Sequence, residues 1–229
     1  MDISSVVDKI FYYYETYGSR DYIGEQVTQV EHMVQGAMFA EQDNLGPEIV
    51  LAVFLHDIGH LLLDNNNEKM GDLGIMRHET KGRLFLESLG IPKPIPELVE
   101  NHVRAKRYLV TKNPDYYKKL SKASKETLEY QGGKMTVEEL KEYELDDLFY
   151  NSLLVRKYDE MSKRTDIPIN ELSFLSSEKL SRIDKIEDIT LVHVIPYSLT
   201  KNQNAKRLTF PLTITVEPPE DNGANNVVI

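Results

Sequence analysis

The sequence predicts an all-α fold, a helical bundle carrying a short C-terminal appendage, and three observations lead there. Apolar residues recur at helical spacing through most of the first 165 positions. Five of the six histidines (His32, His56, His60, His78 and His102) fall within less than a third of the 229-residue chain, each in a stretch with that periodicity. A strand-like pattern emerges only after residue 186, so the chain divides into a helical domain over 1–185 and an extension over 186–229.

Residues 2–17 read as an amphipathic helix ending near Gly18, with Tyr12, Tyr13 and Tyr14 as packing residues. A short loop, Asp21-Tyr22-Ile23-Gly24-Glu25, follows. Helices are expected over 26–42, 47–63, 73–89 and 95–110; Gly90 suits the C-terminal cap of the third, and Pro92, Pro94 and Pro96 prevent its continuation. Two more are expected over 114–130 and 136–163, divided by Gly132-Gly133. Ile189–Ile195 is a continuous apolar, β-branched run, and Leu208, Phe210, Leu212, Ile214 and Val216 alternate with mainly threonine, a strand pattern that Pro211 confines to an edge. These two strands pair as a hairpin or pack on a partner subunit, and 217–229 reads as disordered.

The segment Phe54-Leu55-His56-Asp57-Ile58-Gly59-His60 sets imidazoles and a carboxylate among apolar neighbours. A helix over 47–63 places His56 and His60 on one face at i and i+4, with Asp57 beside them. Burying such a set unpaired is costly, so it needs a cation or a polar network. An isolated His-Asp pair is more often a satisfied core histidine. This pair has company: His32 lies between Val30 and Val34, His78 precedes Leu84 and Phe85, His102 follows Leu98 and Val99, and Asp159 supplies a late carboxylate. Helices that each lend a side chain can build a metal site in a bundle core.

The order His, His-Asp, His, His, Asp resembles that of the HD-domain superfamily of metal-dependent enzymes, over about residues 20–165. The resemblance implies that Asp57 bridges two metals roughly 3.5–4 Å apart. It further implies that His32, His56 and Asp159 hold one metal, and His78 and His102 the other. Imidazole and carboxylate donors without thiolate suit iron, manganese or zinc, and open coordination positions favour iron.

Composition narrows the partners. A net charge of −10 and a pI near 5.2 argue against nonspecific nucleic-acid or anionic-membrane binding, so any phosphorus chemistry acts on a small molecule. With no cysteine, neither disulfides nor thiolate ligands contribute. The start lacks a signal-peptide pattern and no apolar run approaches about 18 residues, so a cytoplasmic protein is the default expectation. The oligomeric state is left open.

Most members of the superfamily are phosphohydrolases, and a hydrolase of a small phosphate ester or nucleotide is the alternative reading. A metal-stabilised sensor domain is a second. Three features are narrower: His60 at the third position after Asp57, where many relatives carry lysine; Tyr22 and Glu25 ahead of His32; and Val103–Val110, Ser121–Ser124 and Thr127–Gly133 after His102. Together they resemble the mixed-valent diiron dioxygenases that cleave the carbon-phosphorus bond of 2-amino-1-hydroxyethylphosphonate. That resemblance implies two irons, Fe(II)/Fe(III), with an organophosphonate and O2 as small-molecule substrates. It makes Tyr22 a labile ligand on the iron of His78 and His102, and sets Glu25 at the substrate ammonium. Lys106, Ser124, Arg156 and His60 are implied at the phosphonate oxygens, with Gln131 a further contact. Lys106 projects toward the site by its spacing from His102 alone. The run Arg104, Lys106, Arg107, Lys112, taken without the resemblance, reads as a solvated face.

Overall fold

The computed structural model describes residues 3–22, 24–63 and 68–167, all as helices, turns and connecting loops apart from two isolated β-bridges. The helices are α1 (Ile3–Tyr17), α2 (Gln29–Gln42), α3 (Pro47–Leu55), α4 (His78–Ser88), α5 (Ile95–Lys112), α6 (Pro114–Lys119), α7 (Lys122–Tyr130), α8 (Val137–Glu144) and α9 (Phe149–Met161). The expected all-α class stands. Of these residues, no helix is long and apolar enough to cross a membrane. The expected appendage, the two strands expected in it and the 185/186 boundary lie outside the described residues.

Four helices make the frame. α2 packs on α3, α3 and α9 both pack on α5, and α9 closes back onto α2, while α4 lies along α5. Their shared interior holds Met33, Ala52, Val53, Leu55, Leu98, Val99 and Val155, all at or near zero exposure. Burying side chains of this size contributes about 1.5–3 kcal/mol each.

Capping residues decide several boundaries differently from periodicity. α2 begins at Gln29 rather than 26 because Thr28 and Glu31 form a reciprocal box: Thr28 Oγ1 accepts from Glu31 N–H at 3.2 Å and Glu31 Oε2 accepts from Thr28 N–H at 2.7 Å. The expected helix over 114–130 is two. Leu120 turns inward in an extended conformation onto Val110 and Leu128, and the Ser121 hydroxyl caps α7 by accepting from Ser124 N–H at 3.0 Å. The helix expected over 136–163 is also two: Asp146, paired with Arg104 at 2.9 Å, accepts from Leu148 N–H and interrupts the chain between α8 and α9. α4 starts at His78, after Arg77 in the left-handed region (φ 57°), not at 73.

The largest correction concerns the His-Asp segment. α3 stops at Leu55, and Ile58–His60 forms a separate 3-10 turn, so His56 and His60 do not share a helix face. The reason is tertiary. The start of α4 presses against Gly59, where a Cβ would meet the His78 carbonyl oxygen at 1.9 Å. Only glycine admits that approach, and it carries His60 round to stack on His78.

Candidate metal centre

Six side chains from five elements converge around Asp57. His32 comes from the first turn of α2, His56 and Asp57 from the residues just past the end of α3, His78 from the first position of α4, His102 from α5 and Asp159 from α9. All are buried. Asp57 Oδ2 faces His32 Nε2 at 3.5 Å and His56 Nε2 at 3.4 Å. Its other oxygen, Oδ1, faces His78 Nε2 at 3.2 Å and His102 Nε2 at 3.6 Å. Asp159 Oδ1 joins the first side, 3.3 Å from His32 Nε2 and 3.8 Å from His56 Nε2.

The far nitrogens explain why Nε2 points inward. His56 Nδ1 lies 2.7 Å from the Val53 carbonyl and His102 Nδ1 lies 2.6 Å from that of Val99. His32 Nδ1 lies 3.1 Å from the Ser162 carbonyl. A carbonyl only accepts, so each Nδ1 carries the proton and each Nε2 keeps its lone pair for the centre. His78 Nδ1 faces Glu79 Oε2 at 3.4 Å instead.

These lone pairs are crowded. His32 Nε2 and His56 Nε2 are 3.0 Å apart, His78 Nε2 and His102 Nε2 are 3.3 Å apart, and among the described residues no well-aligned donor satisfies Asp159 Oδ1. Two lone pairs at that distance repel unless a proton or a cation lies between them. The donors fit metal ions: His32, His56 and Asp57 offer atoms within 4.8 Å of one another, as do Asp57, His60 and His78.

Without a metal, protons do part of that work. Burial pushes the Asp57 carboxyl up, but His56 and His78 hold it well below the usual range; burial and Arg156 act the same way on Asp159. Burial lowers His56, yet Asp57 lifts it to about 9, whereas burial takes His102 down to about 3. His60 is driven well below its ordinary value by burial and by His78.

A pocket lined by Asp57, His60, His78, His102 and Lys106 opens beside the centre. The anion-binding residues expected from the sequence meet there. Lys106, one turn past His102, is buried; its Nζ donates to Thr127 Oγ1 and Gln131 Oε1, both at 2.8 Å. Burial and Arg156 hold its pKa well below the ordinary value. Arg156 pairs with Asp159 and Glu160 and donates from Nε to the Tyr116 hydroxyl at 2.8 Å. Ser124 lines the same wall, and His60 stacks on His78 with ring centroids 3.9 Å apart while Nδ1 accepts from Ile75 N–H at 3.2 Å. The neighbours Arg104 and Arg107 are half-buried and pair with Asp146 and Glu139, away from the pocket, so the solvated-face reading fails for Lys106 and holds only in part for these two.

Tyr22 and Glu25 arrive on the loop before α2, held by the Asp21–Thr28 bridge and by Tyr22 N–H donating to the Val27 carbonyl at 2.8 Å. The Tyr22 ring lies flat on His32, centroids 3.9 Å apart, on the Oδ2 side of Asp57. Burial, then the charges of Asp57 and Asp159, raise its hydroxyl well above the ordinary phenol value. Glu25 reaches Lys163 Nζ at 3.3 Å.

Sequence reasoning passed over Lys163, Thr127, Tyr116 and Ser162. Thr127 lies between Ser124 and Gln131 at helical spacing, so the spacing rule that found Lys106 also marks it; Ser162 and Lys163 lie past the last residue of α9, where that rule no longer holds.

The HD domain family matches residues 30–151. An uncharacterised protein of Acanthamoeba polyphaga mimivirus is 49% identical over 169 residues, 73% of this chain and 77% of that protein. The [1-hydroxy-2-(trimethylamino)ethyl]phosphonate dioxygenase (glycine-betaine-forming) of Leisingera caerulea is 39% identical over 163 residues, 71% of this chain and 83% of that protein. The hydroxymethylphosphonate dioxygenase of Gimesia maris is 35% identical over 173 residues, 75% of this chain and 85% of that protein.

Proposed function

The chain belongs to the HD-domain family, and from that premise we propose that it is a diiron dioxygenase cleaving the carbon-phosphorus bond of a 2-amino-1-hydroxyethylphosphonate-type substrate. The products are glycine, or an N-methylated glycine, and phosphate. The observation that carries this reading is the placement of Lys106 and Arg156 in the pocket that opens on the His78–His102 side of a carboxylate shared by two histidine pairs. Two relatives named as phosphonate dioxygenases support it.

In this reading His32, His56 and Asp159 would hold one iron, His78 and His102 would hold the other, and Asp57 would serve both. Bound iron supplies the one-electron chemistry with dioxygen that these side chains lack. The residues do the rest. Lys106 and Arg156 meet a phosphonate dianion with charge-assisted hydrogen bonds, each worth about 1.5–3 kcal/mol. Ser124, Gln131 and His60 complete that cradle; burial keeps His60 neutral, so one ring nitrogen donates and the other accepts. Glu25 receives the amine. Tyr22, its ring stacked on His32, would be the labile ligand on the iron of His78 and His102 and would give way when substrate enters. One substrate and one O2 contain all the atoms of glycine and phosphoric acid, so no outside reductant is needed.

The test is anaerobic iron loading followed by substrate with and without O2. The expected result is phosphate and glycine in equal amounts, released with O2 alone. Phosphate release that ignores O2 would mean a hydrolase and overturn the oxygenase reading.

A further inference from the structure

Lys163 has no part in the roles above, yet its position is fixed on both sides. Ser162 before it bonds His32 Nδ1 through its carbonyl at 3.1 Å, and Arg164 N–H after it donates to Gln35 Oε1 at 3.1 Å, so α2 anchors the backbone on each flank. The side chain, only 13% exposed, turns into the pocket. Its Nζ donates to Ser124 Oγ at 3.0 Å and faces Glu25 Oε1 at 3.3 Å. Glu160 Oε1 lies 3.8 Å away and the Tyr22 ring centroid 5.9 Å.

The ammonium of Lys163 therefore spans the two ends of the pocket. One contact is the carboxylate proposed to receive the substrate amine, and the other is a hydroxyl proposed to hold the phosphonate. An incoming amine and Lys163 want the same carboxylate. Either class of substrate brings an anion that Lys163 can meet beside Ser124. An amine-free hydroxyphosphonate brings no cation to contest Glu25.

We propose that Lys163 is a specificity-determining residue: its ammonium, held beside Ser124 at the phosphonate end for either class of substrate, competes with the substrate amine for Glu25. This rests on the dioxygenase reading. The pocket thereby keeps its charges paired before and after binding, which a half-buried carboxylate requires. The competition costs amine substrates part of the affinity that Glu25 provides. Removing Lys163 lifts that cost for them alone.

The experiment compares kcat/KM for 2-amino-1-hydroxyethylphosphonate and hydroxymethylphosphonate in the iron-loaded protein, with anaerobic calorimetry of both compounds as a readout free of turnover. Lys163→Met is expected to raise the amine to amine-free ratio about tenfold, roughly 1.4 kcal/mol, chiefly through KM. Lys163→Arg should keep the original ratio, and in a Glu25→Gln background removal of Lys163 should leave the ratio unchanged. Lys163→Gln repeats the test if the methionine variant fails to fold. An equal loss for both compounds, an unchanged ratio or a fall in the ratio would each overturn the proposal. If the unaltered protein turns over neither compound, the dioxygenase reading falls and takes this inference with it.

Discussion

The two sides of Asp57 are furnished differently. On the Oδ2 side stand two imidazoles and a second carboxylate, with His32 and His56 locked by backbone carbonyls and the Tyr22 ring laid over His32. On the Oδ1 side stand His78 and His102, with His60 stacked behind His78 and the cationic pocket in front. The first side is nearly complete from protein alone, and the second leaves room. A metal site that keeps positions open is where substrate binds, and one that is filled holds its ion in place. Under the dioxygenase proposal, that difference favours the His78–His102 side as the place where substrate would bind.

Breaking the shared carboxylate should have the largest effect. Asp57→Ala is expected to take iron below one ion per chain and activity below about a thousandth of the original, read by metal analysis and phosphate release. His102→Ala separates the sides: activity should vanish while about one iron per chain stays bound on the Oδ2 side. Loss of both ions would mean that the sides do not bind independently.

Substitutions in the anion cradle are the next step down. Arg156→Lys keeps the charge but loses the planar fork that meets Asp159, Glu160 and Tyr116 together. A fall in kcat/KM of about ten- to a hundredfold is expected, matching one charge-assisted contact. Tyr116→Phe removes only the acceptor on Arg156 Nε and should cost about two- to tenfold.

The smallest effect is a proton balance that again divides the sides. In metal-free protein His56 titrates at about 9 and is charged at pH 7, while His102 titrates at about 3 and is neutral. Binding metal at His56 must displace its proton, so affinity there should rise with pH up to about 9. The stability signs are opposite. The raised His56 contributes fully below about 6.5 and its contribution fades as pH climbs through about 9. The depressed His102 leaves the unfolded chain binding the extra proton, so its effect lowers stability as pH falls from about 6.5 toward 3. Thermal melts of the metal-free protein across pH 4–10 should show losses at both ends, and iron loading should flatten the alkaline one.

The sequence made the donors legible because each lies in an apolar stretch that has to be buried, and six such groups cannot share a core unpaired. Lys106 was legible through its spacing from His102. The path of the chain around the donors was not. Gly59 reads as a neutral residue in a helical pattern, and only its contact with the His78 carbonyl shows why the helix ends. Ser121 was present as a capping residue and Asp146 as a turn residue, but whether they break the helices depends on Leu120 finding its pocket and Asp146 finding Arg104. Lys163 lies beyond the end of α9, where helical periodicity has stopped indicating which way a side chain turns.

The central claim is that one carboxylate, Asp57, couples two irons through its two oxygens. Electron paramagnetic resonance of the iron-loaded, partly oxidised protein tests it directly. A spin-coupled Fe(II)/Fe(III) signal, abolished by Asp57→Ala, is the predicted result; isolated high-spin ferric signals at every degree of oxidation would contradict it.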